Sequence, residues 1–144
     1  MPSFNYKIKV PASSSQVYEV LKNITSFSDF MNSVKKIDIL KQEENILHTE
    51  WNVDFDGVPI KWTEEVVFND KTYNVKFKSL SGDYLRSGQW NVYQDSGKKT
   101  WVSLEMTYEW NVPNFEHFFG NIYNKKAEKA TKGMLYALKK RISK

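Results

Sequence analysis

A carboxylate interrupts an otherwise apolar strand face in the stretch IKWTEEVVF, residues 60–68. Ile60, Trp62, Val66 and Phe68 take every second position apart from Glu64, which is the period of a β-strand with one buried face. Glu64 occupies an inward position of that series, so the pattern predicts a carboxylate directed at the core. A carboxyl group held in an apolar pocket is a candidate general acid or base.

Further polar groups are predicted to line up with this carboxylate. Turns between the strands set the registers, and Asp56-Gly57 is the strongest two-residue hairpin signal among them. The registers place five inward-facing residues in one row across the sheet: Thr49, Glu64, Phe77, Arg86 and Tyr108. Glu64 and Arg86 then lie two strands apart, about 9.6 Å between backbones, which long side chains can close over Phe77. Of this row, Glu64, Arg86 and Tyr108 are the candidate catalytic residues.

Two interpretations of the row remain open. In the first, Glu64 and Arg86 form a buried ion pair that serves only the core, since buried charges need partners. In the second, both line a mostly apolar cavity and contact a small-molecule ligand. The residues predicted to contact that ligand are Trp51, Trp62, Glu64, Phe77, Arg86, Trp90, Met106, Tyr108, Phe119, Tyr123, Ala127, Ala130 and Met134.

Hydrophobic periodicity predicts the elements that position these residues. The expected order is one strand, two short helices, six further strands and a long helix from Pro113 to Ser143. Polar outer faces indicate an antiparallel sheet with one side in water, and Tyr73 is placed on its inner side. The buried stripe of the long helix is small at Ala127, Ala130 and Ala137, which favours either close packing or a void.

Composition and length exclude several classes of function. The 144 residues suit a single domain, 1–144, with 40% hydrophobic and 26% charged residues. Because there is no cysteine, disulfide scaffolds, thiolate metal sites and cysteine nucleophiles are excluded. Two histidines, His48 and His117, cannot build a convincing metal site, and no cofactor is predicted. Without a signal peptide or a membrane-spanning run, we expect a cytoplasmic protein.

The charge of the chain is concentrated near its end. The net charge is +4, but from Tyr123 onward 8 residues are basic and 1 is acidic. The simplest interpretation is a solvated helix face, and the alternative is weak contact with an anionic membrane. Nucleic-acid binding is not expected, because the basic helix lacks interleaved exposed aromatic residues. The sequence leaves the oligomeric state open.

Four stretches together resemble the START-like, or SRPBCC, superfamily and its helix-grip fold. They are KVPASSSQVYEVLKNITSFSDFMNSVKKIDIL, WTEEVVF, SGQWNVYQDSGKKTWVSLEMTYEW and YALKKRI, in the order and spacing of the branch of polyketide cyclases/dehydrases and coenzyme Q-binding proteins. The resemblance implies an α+β fold in which a seven-stranded antiparallel sheet curls around a long C-terminal helix. It also implies a cavity between them for a lipid, an isoprenoid or quinone, or a polyketide-like molecule.

One departure from the family pattern bears on catalysis. Aromatase/cyclase members are similar to this chain at Trp62 but read Trp-x-Ser-x-Arg on that strand. Here Glu64 stands in place of the serine and Val66 in place of the arginine. The sequence therefore favours a non-catalytic ligand binder, and the alternative is a polyketide cyclase/aromatase-like enzyme.

Overall fold

The predicted order of elements is confirmed by the computed structural model, which describes residues 2–111 and 115–143, without the side chains of residues 115–119. Within these described residues, seven strands and three α-helices form an α+β helix-grip fold with an open sheet. The elements are β1 (Ser3–Val10), α1 (Ser14–Lys22), a 3-10 turn (Ile24–Ser26), α2 (Phe27–Phe30), β2 (Val34–Glu43), β3 (Ile46–Phe55), β4 (Val58–Asn69), β5 (Asn74–Gly82), β6 (Tyr84–Gln94), β7 (Thr100–Trp110) and α3 (Phe115–Ile142).

The sheet has the strand order β1-β7-β6-β5-β4-β3-β2, and all neighbours are antiparallel. Strands β2 to β7 follow one another as a meander, and the last strand, β7, pairs with the first, β1, which forms one edge of the sheet. Helix α3 lies on the inner face, where it contacts β1, β3 and β7. In the described part of the chain, no helix is both long and apolar enough to cross a membrane.

Helix α1 begins with the capping signal that its serines predict. The Ser13 hydroxyl accepts a hydrogen bond from the Gln16 backbone N–H at 3.2 Å, and the Gln16 side chain accepts one from the Ser13 N–H at 3.0 Å. This reciprocal capping satisfies two N–H groups that the first turn leaves without partners. On the buried side of α1, the Tyr18 hydroxyl donates to Asp70 at 2.6 Å, which fixes the helix against the β4–β5 turn.

The predicted hairpin between β3 and β4 is confirmed residue by residue. Phe55 pairs with Val58 across Asp56-Gly57, Trp51 pairs with Trp62, and Thr49 pairs with Glu64. Both turn residues have a positive φ, 54° at Asp56 and 94° at Gly57. These are the dihedrals that a type I′ turn requires, so the turn fixes the register of β3 against β4.

The register of the next strand pair was predicted wrongly by two residues. The Asn69 side-chain oxygen accepts hydrogen bonds from the backbone N–H groups of Lys71 and Thr72. The turn therefore extends through Tyr73. Tyr73 has a φ of 54°, lies in the turn and is half-buried, and Phe68 pairs with Val75 instead. In the same register Glu64 lies opposite a serine, Ser79, and not opposite Phe77, and a bulge between Thr63 and Glu64 shifts only the pairing beyond that point, where Thr63 lies opposite Ser81.

The β6–β7 turn provides an acid-sensitive contribution to stability. Asp95 accepts hydrogen bonds from the N–H groups of Gly97 and Lys99, both at 2.9 Å, and from the Trp101 indole at 2.8 Å. The indole, followed by the Lys99 N–H, lowers the pKa of Asp95. Because the folded-state pKa is depressed, this stabilisation is present above the unfolded value of about 3.9 and is lost as the pH falls through the folded value.

We therefore expect Asp95→Asn to be less stable than the wild type at pH 6, and the difference to shrink at about pH 3. An amide cannot offer the Trp101 indole a charged acceptor, but below the pKa the wild-type carboxyl cannot either. Urea unfolding midpoints at both pH values measure the difference. A stability difference that stays constant with pH would show that the charge of Asp95 is not what holds the turn.

Candidate functional site

The polar row on the inner face has nearly the composition that the sequence predicts. Across the sheet it consists of Thr49, Glu64, Ser79, Arg86 and Tyr108. Ser79 takes the place predicted for Phe77, and its hydroxyl accepts a hydrogen bond from the Arg86 backbone N–H at 2.9 Å. Phe77 lies opposite Gly88, two residues from the predicted partner. The row is thus more polar than predicted, and its alignment between Arg86 and Tyr108 is confirmed.

Glu64 and Arg86 form a buried bidentate ion pair. Arg86 Nε donates to Glu64 Oε1 at 2.7 Å, and a terminal guanidinium nitrogen donates to Oε2 at 3.2 Å. Trp62 Nε1 donates a third hydrogen bond to Oε1 at 3.0 Å. The side chain of Arg86 is only 2% exposed and that of Glu64 only 1%. Both charges are therefore removed from water, and each depends on the other for its counter-charge.

Aromatic rings enclose the guanidinium of Arg86. Its central carbon lies 4.3 Å from the ring centre of Phe77, 4.7 Å from that of Trp51 and 5.1 Å from that of Trp62. Trp51 and Trp62 stack on each other, with centres 5.4 Å apart. A cation against several ring faces is stabilised by their negative quadrupoles, and the effect strengthens without water. Phe77 therefore touches Arg86, although the two residues are not opposite each other.

Thr49 completes the hydrogen bonding around the pair. Its hydroxyl accepts from the Trp51 indole at 3.0 Å and donates to the Glu64 backbone carbonyl at 3.2 Å. Both oxygens of the Glu64 carboxylate, two nitrogens of the Arg86 guanidinium and the Thr49 hydroxyl thus have partners from the protein itself. The geometry supports the interpretation of the ion pair as part of the core.

Tyr108, the third candidate catalytic residue, is engaged by α3. Its hydroxyl donates to Glu128 Oε2 at 2.8 Å. Burial, followed by this hydrogen bond to a carboxylate, raises the pKa of Tyr108 above its ordinary value. The neighbouring Trp110 indole donates to the Asn124 side chain at 2.7 Å. Both contacts attach α3 to the end of β7.

Tyr84 is a buried residue that the sequence analysis missed. Its ring lies among those of Phe55, Trp62, Tyr108 and Trp110, at centre distances of 4.9 to 5.5 Å. Within the described part of the chain, its hydroxyl makes no hydrogen bond, and burial raises its pKa. Because it is two residues before Arg86 on the same strand, its inward direction could have been read from the period of two. An unpaired buried hydroxyl is rare in proteins and is a potential hydrogen-bond donor to a guest molecule.

The other residues predicted to contact a ligand are spread along the inner face. Trp90 and Met106 are buried, but Trp90 is four residues from Arg86 along β6, about 13 Å away. On α3, Ala127 and Met134 are buried, while Tyr123 and Ala130 are half-buried. The Phe119 and His117 side chains lie outside the described residues. His48 lies on the outer face, where it pairs with Glu65 at 3.1 Å.

A cleft of about 450 Å³ opens between α3 and the β3–β4 hairpin. Its helix side consists of the small residues Ala130, Gly133 and Ala137, so two of the three alanines singled out in the sequence border open space, while Ala127 is fully buried. The rim is polar and is formed by Asn32, Ser33, Lys35, Asp54, Asp56, Gly57 and Lys129. Among the predicted ligand contacts in the described chain, Ala130 is the one that lines this cleft. Sequence spacing could not reveal the rim, because it joins three separate segments.

The charges at the mouth of the cleft are paired across it. Asp56, at the hairpin tip, forms salt bridges with two lysines of α3, Lys126 at 3.3 Å and Lys129 at 3.5 Å. Lys126, followed by Lys129, lowers the pKa of Asp56, so this carboxyl is ionised at neutral pH. Across residues 2–111 and the described part of α3, no cluster of His, Asp or Glu could hold a metal ion.

Comparison with solved structures gives close matches in fold at low sequence identity. The Thermus thermophilus protein TTHA0849 is 23% identical, with a TM-score of 0.89 and coverage of 98% of this chain and 97% of that one. The Zhui aromatase/cyclase of a Streptomyces species is 16% identical, with a TM-score of 0.85 over 98% and 93% of the two chains. A START superfamily protein of Mycobacterium smegmatis is 14% identical, with a TM-score of 0.80 over 97% and 96%. These similarities establish a shared fold.

Sequence comparison identifies the family. No curated protein gives a significant match. Residues 10–135, most of the chain, match the profile of the family described as polyketide cyclase/dehydrase and lipid transport. With its helix-grip architecture, the chain therefore belongs to the polyketide cyclase/dehydrase and lipid transport family.

Proposed function

We propose that this protein binds a hydrophobic small molecule with a polar head group in the cleft between α3 and the β3–β4 hairpin. The observation that carries the proposal is that the helix side of the cleft is formed by three small residues, Ala130, Gly133 and Ala137. Its volume of about 450 Å³ lies in the range of small-molecule sites, about 300–1,000 Å³. Family membership, which includes lipid transport, agrees with this class of ligand.

The cleft supplies both parts of such a site. The methyl groups of Ala130 and Ala137 and the bare backbone of Gly133 offer an apolar wall that a chain or ring system can approach closely. Asn32, Ser33 and the charged rim can hydrogen-bond a carbonyl, hydroxyl or carboxylate at the mouth. A lipid, an isoprenoid quinone or a polyketide-like molecule has this combination of an apolar body and oxygen functions.

A polyketide cyclase/aromatase-like enzyme is the second candidate. The family name and the Zhui aromatase/cyclase favour it, and so does Tyr84, whose unpaired hydroxyl could donate to an enolate. Two observations weigh against it. Both Glu64 oxygens accept hydrogen bonds from Arg86, with a further one from Trp62, and the cyclase arginine is replaced by the buried Val66. A change in the product profile of a poly-β-ketone on adding the protein would establish the enzyme.

Filling the cleft from Gly133 tests the binding site. A Cβ added at Gly133 meets no atom within 4 Å, so Gly133→Phe should project a ring into the cleft without disturbing the helix. We expect at least tenfold weaker binding of N-phenylnaphthylamine, an uncharged apolar fluorophore, because the ring takes the place of the guest. Fluorescence titration of the purified protein measures the affinity.

Gly133→Ala is the matched control, since a single methyl group leaves most of the cleft open. It should bind the fluorophore as the wild type does, and thermal unfolding should show both variants to be folded. Equal affinity of Gly133→Phe and the wild type would place the site elsewhere. No saturable binding to the wild type would contradict the proposal itself.

A further inference from the structure

The outward face of α3 combines basic side chains with two exposed hydrophobic ones. At roughly 100° per residue, six residues fall within about 80° of the helix circumference. They are Ile122, Lys125, Lys129, Lys132, Tyr136 and Lys140, here called the basic stripe, and all six are exposed. Ile122 and Tyr136 expose 57% and 49% of their surface. With a rise of about 1.5 Å per residue, the stripe is about 27 Å long.

Little of this positive charge is neutralised by the protein. Glu128 directs its carboxylate to the Tyr108 hydroxyl and thus toward the sheet. Asp56 reaches Lys129, but this pair is exposed and weak. For Lys125, Lys132 and Lys140, no carboxylate of the described residues lies within salt-bridge distance. The stripe therefore presents an unbalanced positive field to its surroundings.

Lys132 and Tyr136 also form a small ordered unit with β1. The Tyr136 and Tyr6 hydroxyls are 2.8 Å apart, and the Lys132 ammonium lies 4.7 Å from the Tyr6 ring centre. The hydrogen bond from Tyr136, followed by the nearby Lys132 charge, lowers the pKa of Tyr6. An amphipathic phenol beside an ammonium is typical of side chains at the level of lipid head groups.

We propose that the basic stripe docks the protein on an anionic membrane surface. All six side chains are exposed and lie within about 80° on one side of a single helix, so they can meet a flat surface at once. Lysines supply the electrostatic attraction, and Ile122 and Tyr136 supply apolar contact at head-group depth. Single-stranded nucleic acid fits less well, because its binding surfaces use several aromatic platforms and Tyr136 is the one exposed ring among the stripe residues.

Docking in this orientation would bring the cleft to the membrane. Lys129 belongs both to the stripe and to the rim of the cleft, and Gly133 lies one turn further along the same side of α3. A hydrophobic guest could then pass between bilayer and cleft without crossing much water. Vesicle binding can be measured on the protein without added ligand, so its outcome is independent of the proposed ligand site.

Vesicle co-sedimentation tests the proposal. The full-length protein should bind phosphatidylcholine vesicles that contain a third phosphatidylglycerol, and should not bind pure phosphatidylcholine. Near an anionic surface each lysine contributes about fivefold to the partition coefficient. The triple variant Lys125→Gln, Lys132→Gln, Lys140→Gln is therefore expected to bind about a hundredfold more weakly. Raising the salt from about 0.1 M to 1 M, which shortens the Debye length from about 10 to 3 Å, should release the wild type.

A second triple variant controls for net charge. Lys61→Gln, Lys76→Gln, Lys78→Gln removes the same charge from exposed strand positions away from α3 and should bind the vesicles as the wild type does. Equal loss in both triple variants, binding to neutral vesicles, or no binding at all would each overturn the proposal. Tighter binding of a DNA duplex than of the anionic vesicles at the same salt would assign the stripe to nucleic acid instead.

Discussion

Arg86→Met is expected to lower the free energy of unfolding by about 3–5 kcal/mol, because it leaves the Glu64 carboxylate buried without its counter-charge. In the variant, the Trp62 indole would be the remaining donor to a group that now accepts three hydrogen bonds. Methionine has a similar length and can fill the space between the aromatic rings, so the loss reports on charge more than on volume. Urea unfolding at pH 7 measures it.

The double variant Glu64→Gln, Arg86→Met separates charge from packing. Glutamine keeps an oxygen for the Trp62 indole and removes the unpaired charge, so most of the lost stability should return. A coupling of more than about 2 kcal/mol between the two sites is expected for groups in direct contact. If the double variant were as unstable as Arg86→Met alone, the cost would come from the lost contacts of the guanidinium with the rings.

The same double variant distinguishes the two interpretations of the pair. As a part of the core, the pair does not touch the guest, and the double variant should bind N-phenylnaphthylamine with unchanged affinity. If Glu64 or Arg86 contacted the ligand, removing both charges would change that affinity while the fold remained intact. This measurement complements Gly133→Phe, which alters the cleft and leaves the pair in place.

The sequence was sufficient to place Glu64 and Arg86 on the inner face within reach of each other even though one register was wrong. Side chains alternate between the faces of a strand, so a slip of two residues keeps every inward residue inward. The error at the β4–β5 turn placed Phe77 in the row where the structure has Ser79, but left Glu64 and Arg86 on the inner face. Asn69, whose side chain lengthens that turn, and the bulge at Thr63 carry weak signals in a single sequence.

The position of the cleft was harder to predict than the pattern of the faces. The alanines of α3 indicated close packing or a void, but periodicity cannot say which turn of the helix faces open space. Ala127 is fully buried, whereas Gly133, six residues further along the helix, borders the cleft. The rim at Asn32 and Asp56 is brought together by the tertiary fold, and only the structure shows it.

Gly88→Ala is expected to lower the free energy of unfolding by about 3 kcal/mol, through overpacking between β6 and β7. A Cβ at Gly88 would stand 2.6 Å from the Cβ of Met106 and 2.7 Å from its Cα, and would also collide with the Glu105 carbonyl oxygen. Two of these are backbone atoms, so relief requires the strands to move apart. Because Gly88 pairs with both Phe77 and Met106, that movement would open the sheet beside the ion pair.

Gly133→Ala makes the same substitution where the structure leaves space, and the opposite sign is expected. Its added methyl meets no atom within 4 Å, and alanine in a helix interior is favoured over glycine by about 1 kcal/mol. Urea unfolding of the two variants should therefore place them on either side of the wild type. If Gly88→Ala were neutral, β6 and β7 could separate at no cost, and the close approach at Gly88 would not contribute to stability.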